Sequence, residues 1–341
     1  MQGALRSLFF GCLAVAAVGP ASATQLKVAT LAPDGSFWMT EVRRAADEVA
    51  ERTAGRVEFR FYPGGTMGDD AAVLRKMRIG QLHGGVFLGG SLSDSVPELK
   101  IYSLPLLFSD YDQVDAVREA VDPVLIDDLD AEGYHTFGFI EGGFAYLYST
   151  KKAASFDELR GSKAWLPEGD DVGRVLIDEA GLSPVPLGLA DVLTGLQTGL
   201  IDVVTGPPVG AVALQWFTKV KYIIDVPVIY TFGCMVISNR AWSQLGPADQ
   251  AVVDEVFGRV TETLDRRARR DNQEALQALI EQGMQVLPPS PEASAEWAAV
   301  ARRSTERLVR ELDLNRELLA RINRIAASAA SGDPPGAAAD R

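Results

Sequence analysis

The chain has 341 residues, 47% of them hydrophobic and 23% charged, with a formal net charge of −13. That acidity argues against nucleic acid and against anionic membrane surfaces as partners. The length suits two domains, each with a sizeable core, rather than one.

Residues 1–23, MQGALRSLFFGCLAVAAVGPASA, carry one positive charge at Arg6 and an apolar run from Leu8 to Val18. Gly-Pro and the small-residue triplet Ala21-Ser22-Ala23 follow. This is the layout of a secretory signal, too short to span a bilayer, and cleavage is expected after Ala23. Cys12 follows Phe9-Phe10-Gly11, whereas a lipid anchor needs a Leu-like residue and a small one before its Cys; the cleaved reading is preferred. Cleavage leaves 318 residues and, since one Arg and no acid are removed, a charge of −14. No other stretch reaches the roughly 18 apolar residues of a spanning helix, so the mature chain is expected to be exported and soluble. Cys234, in TFGCMVISNR, is then the single cysteine. It can form no intramolecular disulfide, and its apolar strand-like surroundings predict a buried, inert thiol.

Along the mature chain, strand and helix signals alternate. Strands are expected at 26–31, 57–62 and 82–88, with helices at 37–53 and 69–79 between them, a β-α-β-α-β order that predicts a parallel sheet. The first helix shows Trp38, Val42, Ala45, Ala46 and Val49 at helical spacing. The pattern repeats after residue 150, with strands at 163–166, 183–187 and 201–205 and helices at 172–180, 190–198 and 209–220. Between the two units, 134–140 and 144–150 read as separate strands crossing from one to the other, and 227–240 as the return crossing.

Pro247 opens a helix running to about Gln282. Val252, Val256, Val260 and Leu264 form one apolar stripe, and Leu276, Leu279 and Ile280 another. Between them lies DRRARRDNQE, almost without apolar residues. At 1.5 Å per residue such a helix is about 50 Å long, so it is expected to span both lobes and to be exposed where it bridges them. A last helix, 292–327, should bend or break near Asp313, and the tail SGDPPGAAADR should be disordered.

Enzyme chemistry finds no anchor. His83 and His135 lack partners in metal-ligand spacing, and no G-x-S-x-G, C-x-x-C, H-E-x-x-H or Walker-type run occurs. GGVFLGGSLS is glycine-rich without G-x-G-x-x-G spacing. No cofactor or metal is expected. A ligand-binding protein with a cleft between two hinged lobes is consistent with all of this.

Several stretches resemble one family. LAPDGSFWMTEVRRAADEVAERTAGRVEFRFYPGGTMGDDAAVLRKMRIGQLHGGV, LPLLFSDYDQVDAV, LRGSKAWLPEGDD and PVPLGLADVLTGLQTGLID are similar, in this order, to solute-binding proteins of tripartite ATP-independent periplasmic (TRAP) transporters. The resemblance covers about residues 26–310. It implies an α/β, two-lobed periplasmic binding protein with crossover strands and a long helix spanning both lobes. Lobe I would comprise residues 24–140 and about 230–265, lobe II about 141–229 and 266–325, with a disordered tail over 326–341. Such a protein delivers a small ligand to membrane permease subunits driven by an ion gradient, in some members through an additional periplasmic partner. A sensor protein reporting its ligand to a membrane receptor is the alternative.

The ligand is where this chain departs. The resemblance implies an Arg at the position of Trp165 and a second near Ala145, grips suited to a carboxylate through parallel charge-assisted hydrogen bonds. Trp165 offers one N–H and a flat face. Around Thr205, Gly206 and Pro207, relatives present polar side chains that Gly206 lacks. The expected lining is therefore aromatic: Phe37, Trp38, Phe144, Tyr146, Trp165 and Trp216, with Pro167. An uncharged or apolar ligand would use these rings as walls. A cation would use Trp165 as a cation–π face, with Glu141, Glu168 or Asp171 as counter-charge. Trp165→Ala is expected to weaken binding sharply while leaving the fold intact.

Overall fold

The computed structural model describes residues 23–331. The expected signal segment before Ala23 and residues 332–341 of the expected tail lie outside the described residues.

In chain order the strands are β1 Thr24–Ala29, β2 Val57–Tyr62, β3 Gly84–Leu88, β4 Tyr134–Ser149, β5 Lys163–Pro167, β6 Ser183–Leu187, β7 Val203–Gly206, β8 Tyr222–Ser238 and β9 Gln285–Leu287. The helices are α1 Phe37–Arg52, α2 Asp70–Arg78, α3 Tyr111–Ala131, α4 Phe156–Leu159, α5 Asp171–Glu179, α6 Val192–Thr198, α7 Pro208–Ala213, α8 Asn239–Trp242, α9 Pro247–Glu281, α10 Pro291–Glu311 and α11 Arg316–Ser331. Their starts follow the capping chemistry of the sequence: Ser36, Asp69 and Asp170 accept from the amides of Met39, Ala72 and Gly173.

The strands form one sheet in the order β2-β1-β3-β8-β4-β7-β5-β6, with β9 on the N-terminal part of β8. At one end β2, β1 and β3 run parallel; at the other β7, β5 and β6 do. The long antiparallel ribbon of β4 and β8 joins the two ends and belongs to both. Each lobe buries its own apolar residues. Leu26, Val28, Met39, Val42, Val253 and Phe257 pack together in the first, and Tyr148, Trp165, Val192, Ile201 and Leu279 in the second. Because α9 contributes Val253, Val256 and Phe257 to one cluster and Leu279 to the other, it spans both lobes, as its two stripes predict.

Four sequence expectations need correction. The segments 134–140 and 144–150 are one strand, since Glu141-Gly142-Gly143 is accommodated as a register shift against β8 rather than a break. The return strand begins at Tyr222, and Pro227 lies between Ile224 and Ile229, where the ladder shifts again and needs no amide from it. The helix expected over 209–220 stops at Ala213. Gln215 adopts φ +56°, and a single turn Trp216–Thr218 swings Trp216 into the core. The break near Asp313 is present, with φ +50° at that residue between α10 and α11. α11 continues to Ser331, beyond residue 327 where the last helix was expected to end and into the segment expected as a disordered tail. Cys234 is fully buried, which pushes its thiol up to about 12.

Candidate functional site

Strand direction locates the cleft. β8 runs from lobe II to lobe I, and β3, antiparallel to its C-terminal half, points its carboxyl end at lobe II. β4 runs the opposite way, and β7, antiparallel to its C-terminal half, points its carboxyl end at lobe I. The carboxyl ends of both parallel sets thus face one another across the ribbon, the place where open α/β sheets bind ligands. Leu88 of β3 pairs with Gly233, which pairs with Ile140, and Gly206 of β7 pairs with Tyr146. Six residue steps along β4, from Ile140 to Tyr146, therefore separate the two ends, about 20 Å at the usual rise per residue.

Trp165 lies on β5, two residues before the strand's carboxyl end, and is 8% exposed. Its Nε1–H donates to the Leu187 carbonyl at 2.9 Å, and its ring meets Trp216 edge-on at 5.6 Å. Trp216 in turn lies against Gly206, where a Cβ would sit 3.0 Å from the ring. Glycine at the end of β7 is thus what lets Trp216 approach. Tyr146 packs on the same cluster from the ribbon. Tyr148 joins it, 6.3 Å from Trp216, and among the described residues neither its hydroxyl nor the Trp216 indole N–H has a hydrogen-bond partner. Thr205 and Pro207 flank Gly206, and Pro167 closes β5.

The other aromatic positions are elsewhere. Phe37 and Trp38 open α1 in lobe I. Arg267 of α9 lies 3.6 Å from the Phe37 ring centre, and Trp38 packs on the lobe I core. Phe144 is buried in the ribbon between Tyr111 and Tyr230. The structure therefore unites Trp165, Trp216, Gly206 and Tyr146, and leaves Phe37, Trp38 and Phe144 in separate packing environments.

The acids fare differently from one another. Glu168 is exposed on the turn after β5. Asp171 pairs with Lys100 at 2.8 Å. Glu141 is 4% exposed and already neutralised: Arg269 donates to it from Nε at 3.1 Å and Nη2 at 2.9 Å, and the Tyr230 hydroxyl at 3.2 Å. It is a structural acid in this arrangement, not a free counter-charge.

Around Glu141 lies a charge network that sequence reading missed. Arg269 also pairs with Asp115. Asp265 accepts the Glu141 amide at 2.7 Å and Arg118 at 2.8 Å; Arg118 continues to Asp122 at 3.0 Å. Asn272 donates to the Gly142 carbonyl at 2.8 Å and accepts from the Val209 amide at 3.2 Å. The polar stretch DRRARRDNQE, read as solvent-exposed, is thus where α9 is fastened to the ribbon and to α7. Its signal was the cluster of alternating charges in the middle of a helix with apolar ends. The histidines are structural: Nδ1 of His83 accepts from the Lys27 amide, and His135 stacks on Trp242 beside Asp254, a carboxylate remote in sequence.

Burial raises the Glu141 and Asp122 carboxyls above their ordinary range, Arg269 and Arg118 pulling the other way; burial does the same for Asp70 and Asp170. A raised folded-state value contributes stability that is fully present below the unfolded value and lost as pH rises through the folded one. Exposed Glu48, Glu255 and Glu311 are held low by arginines, so their contribution is lost only under stronger acid. Thermal unfolding should therefore occur at a temperature at least as high near about pH 5 as near about pH 7. Glu141→Gln should flatten that profile; an unchanged slope in the variant would remove Glu141 as a contributor.

Among the described residues no helix is long and apolar enough to cross a membrane. Residues 28–312 match the family model for bacterial extracellular solute-binding proteins, family 7. The sialic acid-binding periplasmic protein SiaP of Vibrio cholerae is 22% identical over 82% of this chain and 88% of its own. The C4-dicarboxylate-binding periplasmic protein DctP of Rhodobacter capsulatus is 23% identical over 70% of this chain and 72% of its own. The crystal structure of DctP7, an extracytoplasmic solute receptor of Bordetella pertussis, superposes with a TM-score of 0.81 at 22% identity, covering 89% of this chain and all of that one. With a family match over most of its length on a two-lobed fold, the chain belongs to the bacterial extracellular solute-binding proteins of family 7, a family of transport receptors rather than enzymes.

Proposed function

We propose that this receptor, exported with cleavage after Ala23, captures a small ligand other than a simple carboxylate in its interlobe cleft and delivers it to a TRAP permease. The relatives are named for sialic acid and C4-dicarboxylates, and the Bordetella receptor for binding pyroglutamic acid; all are carboxylic acids. The observation that carries the reading is Trp165. It stands where the family resemblance implies an Arg, its one N–H is spent on the Leu187 carbonyl, and its neighbours are Trp216 and glycine rather than cations. A carboxylate placed there would lose its hydration without gaining charge-assisted hydrogen bonds. Native mass spectrometry of the purified mature protein, with identification of any co-purifying molecule, tests this. A ligand without a carboxylate is expected, and a bound carboxylate would show that another residue supplies the cation.

A further inference from the structure

Resting on that reading, we infer that the ligand is an uncharged molecule with an apolar body, clasped between leucine-bearing surfaces of the two lobes. Eight large hydrophobic side chains are exposed among the described residues, and four of them lie at or within three residues beyond the carboxyl ends of the parallel strands. Lobe I contributes Leu31, 37% exposed, beyond β1, and Leu88, 63% exposed, as the last residue of β3. Lobe II contributes Leu189, 39% exposed, beyond β6, and Val209, 43% exposed, beyond β7. The other four are scattered: Ile79 after α2, Val124 on α3, Leu200 before β7 and Ile280 at the end of α9. Exposed apolar groups concentrated on two facing surfaces mark a binding site, since each is costly in water and gains when the other side covers it.

Charge points the same way. Of the acids offered as counter-charges to a cation, Glu141 is held by Arg269 and Asp171 by Lys100, while Glu168 is solvated. Asp70, below Leu88, accepts from the Ser91 hydroxyl at 2.5 Å. The cations brought to the ribbon are equally engaged: Arg267 with Asp271 and Phe37, and Arg269 with Glu141 and Asp115. The donors without a partner beside Trp165, the Trp216 indole and the Tyr148 hydroxyl, are neutral groups. A charged ligand would find Arg267, Arg269 and Glu141 at the ribbon already paired, so the hydrophobic contribution decides affinity.

Three molecules sharing one ring and differing only in charge test this: cyclohexylmethanol, cyclohexanecarboxylate and cyclohexylmethylammonium, each titrated against ligand-stripped mature protein by calorimetry. The alcohol is expected to bind, at least about tenfold tighter than either ion. Leu88→Asp, at an exposed position that should tolerate it, is expected to weaken the alcohol by about tenfold, the loss of one buried leucine contact. Leu189→Asp should do the same from the other lobe, and Ile79→Asp, outside the cleft, should not. Tightest binding by the ammonium overturns the inference and leaves the non-carboxylate reading standing. Tightest binding by the carboxylate overturns both. No binding of the alcohol, or equal effects of Leu88→Asp and Ile79→Asp, overturns the inference alone.

Discussion

Trp165→Ala is expected to lose about 3–5 kcal/mol of stability and, with it, ligand affinity. The indole is buried in the lobe II cluster, edge-on to Trp216, and its N–H satisfies the Leu187 carbonyl. Truncation removes the ring contacts, opens a cavity beside Trp216 and leaves that carbonyl without its donor. The expectation from sequence that the fold would be untouched is therefore replaced: Trp165 is packed tightly enough for the lobe to feel its loss. Trp165→Phe separates packing from recognition. It keeps an aromatic body and costs about 1–3 kcal/mol, chiefly because the Leu187 carbonyl is left without its donor. Urea denaturation of both variants, followed by ligand titration where each is fully folded, measures the two effects. An alanine variant with a wild-type unfolding midpoint would contradict the packing, and one with wild-type affinity would return Trp165 to the core alone.

Arg269→Met should cost about 3 kcal/mol, the lower end of the range for removing one partner of a buried ion pair. The lower end applies because the guanidinium is 33% exposed whereas the Glu141 side chain is 1% exposed. Without Arg269, Glu141 retains only the Tyr230 hydroxyl and the more distant Arg118 as compensation. The double variant Arg269→Met with Glu141→Gln should recover most of the loss, since no buried charge is then left unpaired. Denaturation of the four proteins gives the coupling directly, and additive losses would mean that the pair is not the seat of the effect. The network joins α3, the ribbon and the middle of α9 at the crossing between lobes. The single variant should therefore also change how the lobes move relative to one another, which small-angle scattering with and without ligand would report.

Much of the fold was legible. The two rounds of alternating strand and helix, the two apolar stripes of the long helix and the break at Asp313 all follow from local periodicity and capping. What failed locally failed for tertiary reasons. Glu141-Gly142-Gly143 reads as a turn, yet pairing with β8 holds it in a strand with a shifted register. The segment 209–220 reads as one helix, yet burying Trp216 against Gly206 requires Gln215 to turn.

The candidate site divides along the same line. Sequence alone pointed to a two-lobed receptor, and its resemblance to the family put Trp165 where an arginine is expected, because residue type at a motif position survives any packing. It could not decide which aromatic rings share a wall, nor whether an acid is free or spent. Those depend on partners remote in the chain: Glu141 meets Arg269 and Asp171 meets Lys100 only once the lobes are assembled. The four exposed apolar residues at the strand ends are likewise unremarkable in sequence, and only the antiparallel ribbon, by turning β3 and β7 toward each other, makes them face one cleft.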